Sequence, residues 1–348
     1  MHCVSRQAVR STYPLYVPRR PREYCAIQFA LTTHVTRGAT CPAPQNIESK
    51  MGSLDGFIQR VRECNTGLEE LPSLTAFLID GKEVGKLKLR FVDQLRRFPK
   101  VFIVEGTPGP SGRVTLAPDL DTCDKRSAKV AEVLQVLRTE GFITGWRDEL
   151  YPVVAAFNDL PLLLVERAAA THLGIKAYGV HINGFVRDPA TGALRLWVAR
   201  RSQTKPNWPG KLDHIVAGGQ PHGLSCRDNV LKECSEEAGI PPELAATARP
   251  VGAVSYLTIA ANGYKPDVLF CYDLELPPDF VPTPQDGEVS EFNLKPIEEV
   301  AEIVATTTEF KTNCCLVIVD FLIRHGYITP EQRGYLQLVA ALRSGDCS

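Results

Sequence analysis

The 348-residue chain has no uninterrupted apolar stretch near the ~18 residues that a membrane-spanning helix needs. It has no surplus of either charge. Lys and Arg number 39 against 40 Asp and Glu, a formal net charge of −1. The whole-chain balance therefore offers no electrostatic handle to a nucleic acid polymer or an anionic membrane. The seven histidines and eleven cysteines form no cluster with zinc-ligand spacing. The cysteine count is odd, without framework spacing, and most thiols sit inside apolar patterns, such as Cys271 in Val268-Leu-Phe-Cys-Tyr. Cys314 and Cys315 are adjacent and poorly placed to pair with each other. These features argue against a disulfide-stapled scaffold and read as reduced, mostly buried thiols of an intracellular protein. Internal repeats and low-complexity tracts are also lacking. What is present is ordinary for a folded globular chain, 44% hydrophobic and 23% charged, with length enough for two domains.

The first fifty residues differ from the rest. Residues 1–47 hold six arginines, no lysine and one acid, Glu23, among many hydroxyl residues, including Ser5, Ser11, Thr12, Thr32, Thr33, Thr36 and Thr40. An Arg-rich, acid-poor, hydroxylated leader without an apolar secretory core fits a transit peptide, plastid ahead of mitochondrion. The alternative is an unstructured tail on a cytoplasmic protein, with Met51 as a second start, because periodic apolar structure begins just after it.

Residues 51–175 read as a small α+β domain. Residues 54–65 have the period of a short amphipathic helix. Thr75-Ala-Phe-Leu-Ile runs into Asp80-Gly81, a hairpin signal, and a second strand continues toward Leu89. Val101–Val104 and Arg113–Leu116 predict further strands. Ser127–Arg138 predicts a helix closed by Gly141, and the Leu- and Ala-rich residues 160–172 predict another. Residues 176–348 begin a second pattern: strands over 177–186 and 194–200, then 251–258, 267–276 and 291–294, with helices over 297–305, 313–325 and 330–343. Strands and helices mix without a regular βαβ repeat, which favours an α+β or α/β sandwich.

Between these strands lies the segment that carries chemistry, Ala217 to Ile240. Gly218, Gly219, Pro221 and Gly223 make a tight loop. Ser225 is a good N-cap with Asp228 three residues on, and Gly239 sits at a preferred C-cap position. Glu233, Glu236 and Glu237, spaced by three and four, share one helical face. Like charges at that spacing repel, and the C-terminal end of a helix disfavours acids. A solvated acidic face with Lys232 bonded to Glu236 is one reading. The other is a hard cation, since carboxylates suit Mg²⁺, and the Gly-rich loop feeding the helix favours it.

Loop and helix together resemble the Nudix box: Gly, five residues, Glu, seven residues, then Arg-Glu-apolar-any-Glu-Glu-any-Gly-apolar. Gly218, Glu233, Cys234, Glu236, Glu237, Gly239 and Ile240 match without a gap, whereas Leu224 replaces the first Glu and Lys232 the Arg. In the family those two residues help hold the loop on the helix, so the departures bear on loop geometry more than on metal binding. Flanking segments, among them Gly174-Ile-Lys-Ala-Tyr-Gly-Val-His-Ile-Asn-Gly and Gln285-Asp-Gly-Glu-Val, are similar to one Nudix subgroup. That subgroup contains plant plastid Nudix hydrolases and the N-terminal half of fungal thiamine pyrophosphokinases. The resemblance spans roughly residues 55–348. It implies an α/β/α sandwich with a mixed sheet behind a small α+β domain, and hydrolysis of damaged thiamine diphosphates to monophosphates. Nucleoside diphosphate derivatives such as 8-oxo-dGTP, or ADP-ribose-type substrates, are alternatives. A third is a catalytically dead binding module.

The resemblance implies that Gly218, through a backbone carbonyl there or at Ala217, joins Glu233, Glu236 and Glu237 around Mg²⁺, with Mn²⁺ able to substitute. Proton removal from the attacking water falls to Glu233 or to Glu288 in the Asp286-Gly-Glu loop. Lys205, Lys211 and His222 are candidate contacts to a small-molecule diphosphate, each also readable as an ordinary surface residue. Trp208 and Tyr256 read first as packing residues and second as platforms for a heteroaromatic ring. Nothing in the sequence fixes the oligomeric state.

Overall fold

A computed structural model describes residues 53–345; the leader expected before residue 51 lies outside them. The chain opens with α1 (Asp55–Cys64), whose apolar period buries Phe57, Ile58, Val61 and Cys64. A hairpin follows, β1 (Thr75–Ile79) and β2 (Lys82–Leu87), turning at Asp80-Gly81, then α2 (Leu89–Leu95), β3 (Phe102–Glu105), β4 (Arg113–Leu116) and α3 (Cys123–Thr139). The four strands form a sheet in the order β2-β1-β4-β3, with β1 and β4 parallel. Thr122 caps α3 by accepting a hydrogen bond from the Lys125 amide. A two-stranded antiparallel ribbon, β5 (Leu150–Val153) with β6 (Leu163–Glu166), and the single turn α4 (Ala170–Leu173) complete this part.

The second part is built on β7 (Ala177–Arg187), β8 (Leu194–Arg201), β9 (Leu212–His214) and β10 (Val216–Gly219), then α5 (Cys226–Ala238) and α6 (Pro242–Ala245). The long hairpin β11 (Arg249–Ala260) and β12 (Gly263–Glu275) follows, then β13 (Val289–Pro296), α7 (Ile297–Thr306), α8 (Thr312–Arg324) and α9 (Tyr335–Ala341). The mixed sheet runs β11-β12-β7-β8-β13. β7 and β8 pair only over Phe185–Arg187 and Leu194–Leu196; beyond that point β10 pairs with β7 and β9 with β8. The sheet thus splits where β10 leads into α5. One face, with Val180, Ile182 and Val216, is covered by Val230, Cys234 and Ala238 of α5. The other, with Phe185, Leu269 and Cys271, is covered by α7, α8, α9 and α1. The result is a three-layer α/β/α sandwich, as the mixed pattern suggested.

Three expectations require correction or comment. Residues 160–172 are not one helix: Leu163–Glu166 is a strand paired with Leu150–Val153, and only a short turn of helix follows. Their Leu- and Ala-rich composition favours a helix, but burial of Leu163 and Val165 against the neighbouring core decides otherwise. The last helix is shorter than 330–343, ending at Ala341 and starting only at Tyr335. The helix at 54–65, counted with the first domain, buries its apolar face among the C-terminal helices, with Val300, Phe321 and Leu338 in the same core.

Candidate active site

The Gly-rich loop is held on α5 by two amide side chains. Asn229 is fully buried, and its Nδ2 donates to the Gly219 carbonyl at 2.7 Å and to Gln220 Oε1 at 3.2 Å. Gln220 Nε2 in turn donates to the Leu224 carbonyl at 2.7 Å. Ser225 caps the helix, accepting from the Asp228 amide at 3.1 Å and donating to the Asp228 carboxylate at 2.6 Å. Gly239 closes the helix in the left-handed conformation (φ 61°). The two departures from the motif, Leu224 and Lys232, therefore leave the loop tied by other means. Leu224 sits at the surface, and the Lys232 ammonium bridges Glu233 (3.2 Å) and Glu236 (2.8 Å).

The structure brings the acids together. Glu233 lies against Gly218, where any Cβ would collide with its carboxylate. Burial pushes the Glu233 carboxyl above its ordinary range, against the pull of Lys232. Glu237 Oε2 accepts from the Ala217 amide at 3.0 Å. Burial drives the Glu237 carboxyl well up, the backbone hydrogen bond only partly offsets it, the acids Glu233, Asp213 and Glu288 push it further, and the Lys311 ammonium is also within electrostatic reach. Glu236 is the exposed member, with a side chain 54% accessible and bonded to Lys232. Glu288 reaches the same patch from the loop before β13. Its backbone carbonyl accepts from Ser202 at 2.8 Å, and its side chain pairs with Lys205. Burial would raise the Glu288 carboxyl, but the hydrogen bond and charge of Lys205 outweigh it and leave it low. Four carboxylates thus converge, and three other acids add to the rise of Glu237 against the charge of Lys311. That donor set fits a divalent cation, the kind of partner that offsets buried carboxylate charge.

Other candidates lie elsewhere. The Lys211 ammonium donates to the Thr308 carbonyl, away from the acids. His222 has an exposed side chain, and its backbone amide donates to the Leu150 carbonyl at 2.8 Å. Trp208 is 45% exposed on a loop rather than packed. Tyr256 is a core residue whose hydroxyl donates to Asp267 at 2.5 Å.

A second polar cluster lies on the α8 face of the sheet. Asp213 accepts from Arg201 (2.8 Å), Lys311 (3.4 Å) and the Cys314 thiol (2.8 Å), and His181 and His214 share a 3.1 Å Nδ1–Nδ1 hydrogen bond. Burial lowers His214 to about 4, and Asp213 stays ionised because its cationic neighbours outweigh its burial.

Sequence reasoning missed the contribution of the first part of the chain. The Tyr151 hydroxyl fills the space a Cβ would need on Gly219, and the Arg167 guanidinium carbon lies 3.3 Å from that same position. Arg167 donates to Glu149 at 2.7 Å and stands over the Tyr151 ring at 5.6 Å. Its charge is felt at Glu233 and that of Arg147 at Glu288. No local pattern could have joined residue 151 to residue 219; only the tertiary fold does.

Comparison with known proteins agrees with this layout. Residues 177–313 match the NUDIX domain, and residues 56–177 match a domain of unknown function, DUF4743. The chain is 48% identical over 306 residues to Nudix hydrolase 20, chloroplastic, of Arabidopsis thaliana, covering 86% of this chain and 81% of that protein. It is 49% identical over 306 residues to Nudix hydrolase 24, chloroplastic, of the same plant, covering 88% and 81%. An uncharacterized protein of Saccharomyces cerevisiae is 44% identical over 213 residues, covering 58% of this chain and 61% of that one.

Proposed function

This chain belongs to the Nudix hydrolase family, as a hydrolase of diphosphate linkages, and we propose that it works with Mg²⁺ held by Glu233, Glu236 and Glu237. A backbone carbonyl at Ala217 or Gly218 is the proposed further ligand. The observation that carries the reading is Glu237: a carboxylate driven up by burial, with three other acids around it and a backbone amide as its hydrogen-bond partner. When bound, the cation offsets phosphate charge and makes water a better nucleophile.

The chain's own residues supply the rest. The two candidate bases differ in setting: Glu233 belongs to the proposed ligand set, whereas Glu288 stands outside it, paired with Lys205. Glu288 and Lys205 then form a fixed ion pair at the rim of the patch. Lys205 is the candidate phosphate contact we retain, because its ion pair with Glu288 puts it beside the acids. Retention of all three helix acids argues against a catalytically dead binding module.

For the substrate we propose damaged thiamine diphosphates, the oxythiamine and oxothiamine forms, cleaved to monophosphates. The support is the similarity of the flanking segments to the subgroup that includes the N-terminal half of fungal thiamine pyrophosphokinases. For location we propose the plastid, supported by the Arg-rich leader and by the chloroplastic relatives. Among the described residues no helix is long and apolar enough to cross a membrane.

The deciding experiment is a substrate panel with Mg²⁺ and with Mn²⁺. Oxythiamine diphosphate should give the highest kcat/KM among itself, thiamine diphosphate, 8-oxo-dGTP and ADP-ribose, and chelation should abolish turnover. A clear preference for 8-oxo-dGTP or ADP-ribose would overturn the substrate assignment, and metal-independent turnover would overturn the cation.

A further inference from the structure

The ribbon of β5 and β6 presses on the box loop at one point. The His222 amide donates to the Leu150 carbonyl at 2.8 Å. Next to it, Tyr151, only 5% exposed, puts its hydroxyl where Gly219 lacks a side chain. Glycine at 219 is therefore required by a residue of the accessory domain, and loop and ribbon are built as one surface.

That surface has a definite charge pattern. The metal-facing side is carboxylate: Glu233, Glu236, Glu237 and Glu288. A diphosphate bound there keeps negative charge on the phosphoryl group that the cation does not neutralise. The accessory side brings guanidinium groups: Arg167, 3.3 Å from the would-be Cβ of Gly219 and close enough to feel Glu233, and Arg147, whose charge reaches Glu288. Arg167 is oriented by its Nη1 bond to Glu149 and by the Tyr151 ring beneath it, yet its side chain remains 43% exposed. A guanidinium has five donors in a rigid fork, so one arm on Glu149 leaves others for a phosphate.

We propose that the accessory domain completes the active site, with Arg167 as a phosphate-binding residue for the substrate and Tyr151 and Glu149 as the positioning residues that aim it. The inference rests on the reading of the box as a Mg²⁺-dependent diphosphate site. Under it the accessory domain recognises the diphosphate rather than merely flanking the catalytic fold.

The test uses the full chain and three variants, Arg167→Ala, Arg167→Gln and Arg167→Lys. Three readings are taken: steady-state kinetics on the best substrate of the panel, Mn²⁺ affinity, and binding of methylenediphosphonate as a non-hydrolysable diphosphate. Loss of a charge-assisted hydrogen bond predicts roughly a 10- to 100-fold rise in KM for the Ala and Gln variants, with a smaller change in kcat. Methylenediphosphonate affinity should fall in parallel, Mn²⁺ affinity should not change, and Lys should recover part of the loss. The Gln variant keeps a hydrogen bond to Glu149 within reach, so it carries the test if the Ala variant fails to fold. Wild-type KM and wild-type methylenediphosphonate affinity in the Gln variant, in an enzyme that itself turns over, would overturn this inference alone. Absence of Mg²⁺-dependent turnover in the unaltered protein would overturn the reading beneath it as well.

Discussion

Two clusters of buried charge lie within electrostatic reach of each other, through Asp213 and Lys311 of one and Glu237 of the other, and they are built differently. On the α8 face, Asp213 is surrounded by Arg201, Lys311 and the Cys314 thiol, and the two histidines bond each other. There the one carboxylate is bonded by two cations and a thiol. On the α5 face, Glu237 and Glu233 act on each other and on further acids, and the Lys232 ammonium binds Glu233 and Glu236 at the surface. The first cluster is one carboxylate held by its own cations, whereas the second gathers several carboxylates, the donor set that suits a divalent cation, and this difference marks the site.

The largest effect separates the clusters by activity. Glu236→Gln should lower kcat/KM by roughly 10²- to 10⁴-fold, the scale on which positioned acid–base and charge-stabilising groups act. The melting temperature should be unchanged, as read by phosphate release and a thermal scan. Asp213→Asn should do the reverse. It leaves Arg201 and Lys311 short of a buried counter-charge and should cost about 3–5 kcal/mol of stability, measured by urea unfolding.

How much of this was legible beforehand follows the range of the interactions. The box, its Ser225 cap and its Gly239 stop depend on neighbours within a few residues, and so they could be read directly. So could the Asp80-Gly81 hairpin. The strand at Leu163–Glu166 could not, because its partner Leu150–Val153 overrides a composition that favours helix. Lys211 looked like a phosphate contact from its position before the box, but the loop turns its ammonium to Thr308. Tyr151 and Arg167 were invisible for the same reason: their meeting with Gly219 spans the join between the two parts of the chain. The roles of Gln220 and Asn229 were hidden by the family pattern itself, which directs attention to Leu224 and Lys232.

A third effect is intermediate. Asn229→Ala removes the donor to the Gly219 carbonyl and to Gln220 and should cost about 1–3 kcal/mol, with KM rising as the loop loosens. If stability and KM are both untouched, the amide tie is not what replaces the missing family Glu.

The pH response sharpens the comparison because the two clusters have opposite signs. His214 falls to about 4 in the folded protein, below its unfolded value of about 6.5. The unfolded chain therefore takes up the proton first, and stability present above that value is lost as pH falls toward 4. Glu237 is shifted up. Without a divalent cation its contribution is present below the ordinary carboxylate range and is lost as pH rises through the raised value. Mg²⁺ should thus raise the melting temperature more at pH 8 than at pH 5, and Glu237→Gln should erase that difference. The smallest effect belongs to Lys232→Ala: an exposed pair worth about 0.5 kcal/mol or less, visible in thermal scans as a shift of a degree or two at most.

The carboxylate-rich cluster of α5, and not the Asp213 cluster, is expected to take the cation. Mn²⁺ titration of the unaltered chain, Glu237→Gln and Asp213→Asn, with a urea melt of each, tests it directly. Glu237→Gln should lose Mn²⁺ affinity while keeping its stability, and Asp213→Asn should lose stability while its folded fraction binds Mn²⁺ nearly as before. Unchanged affinity in Glu237→Gln, or loss of affinity confined to Asp213→Asn, would contradict it.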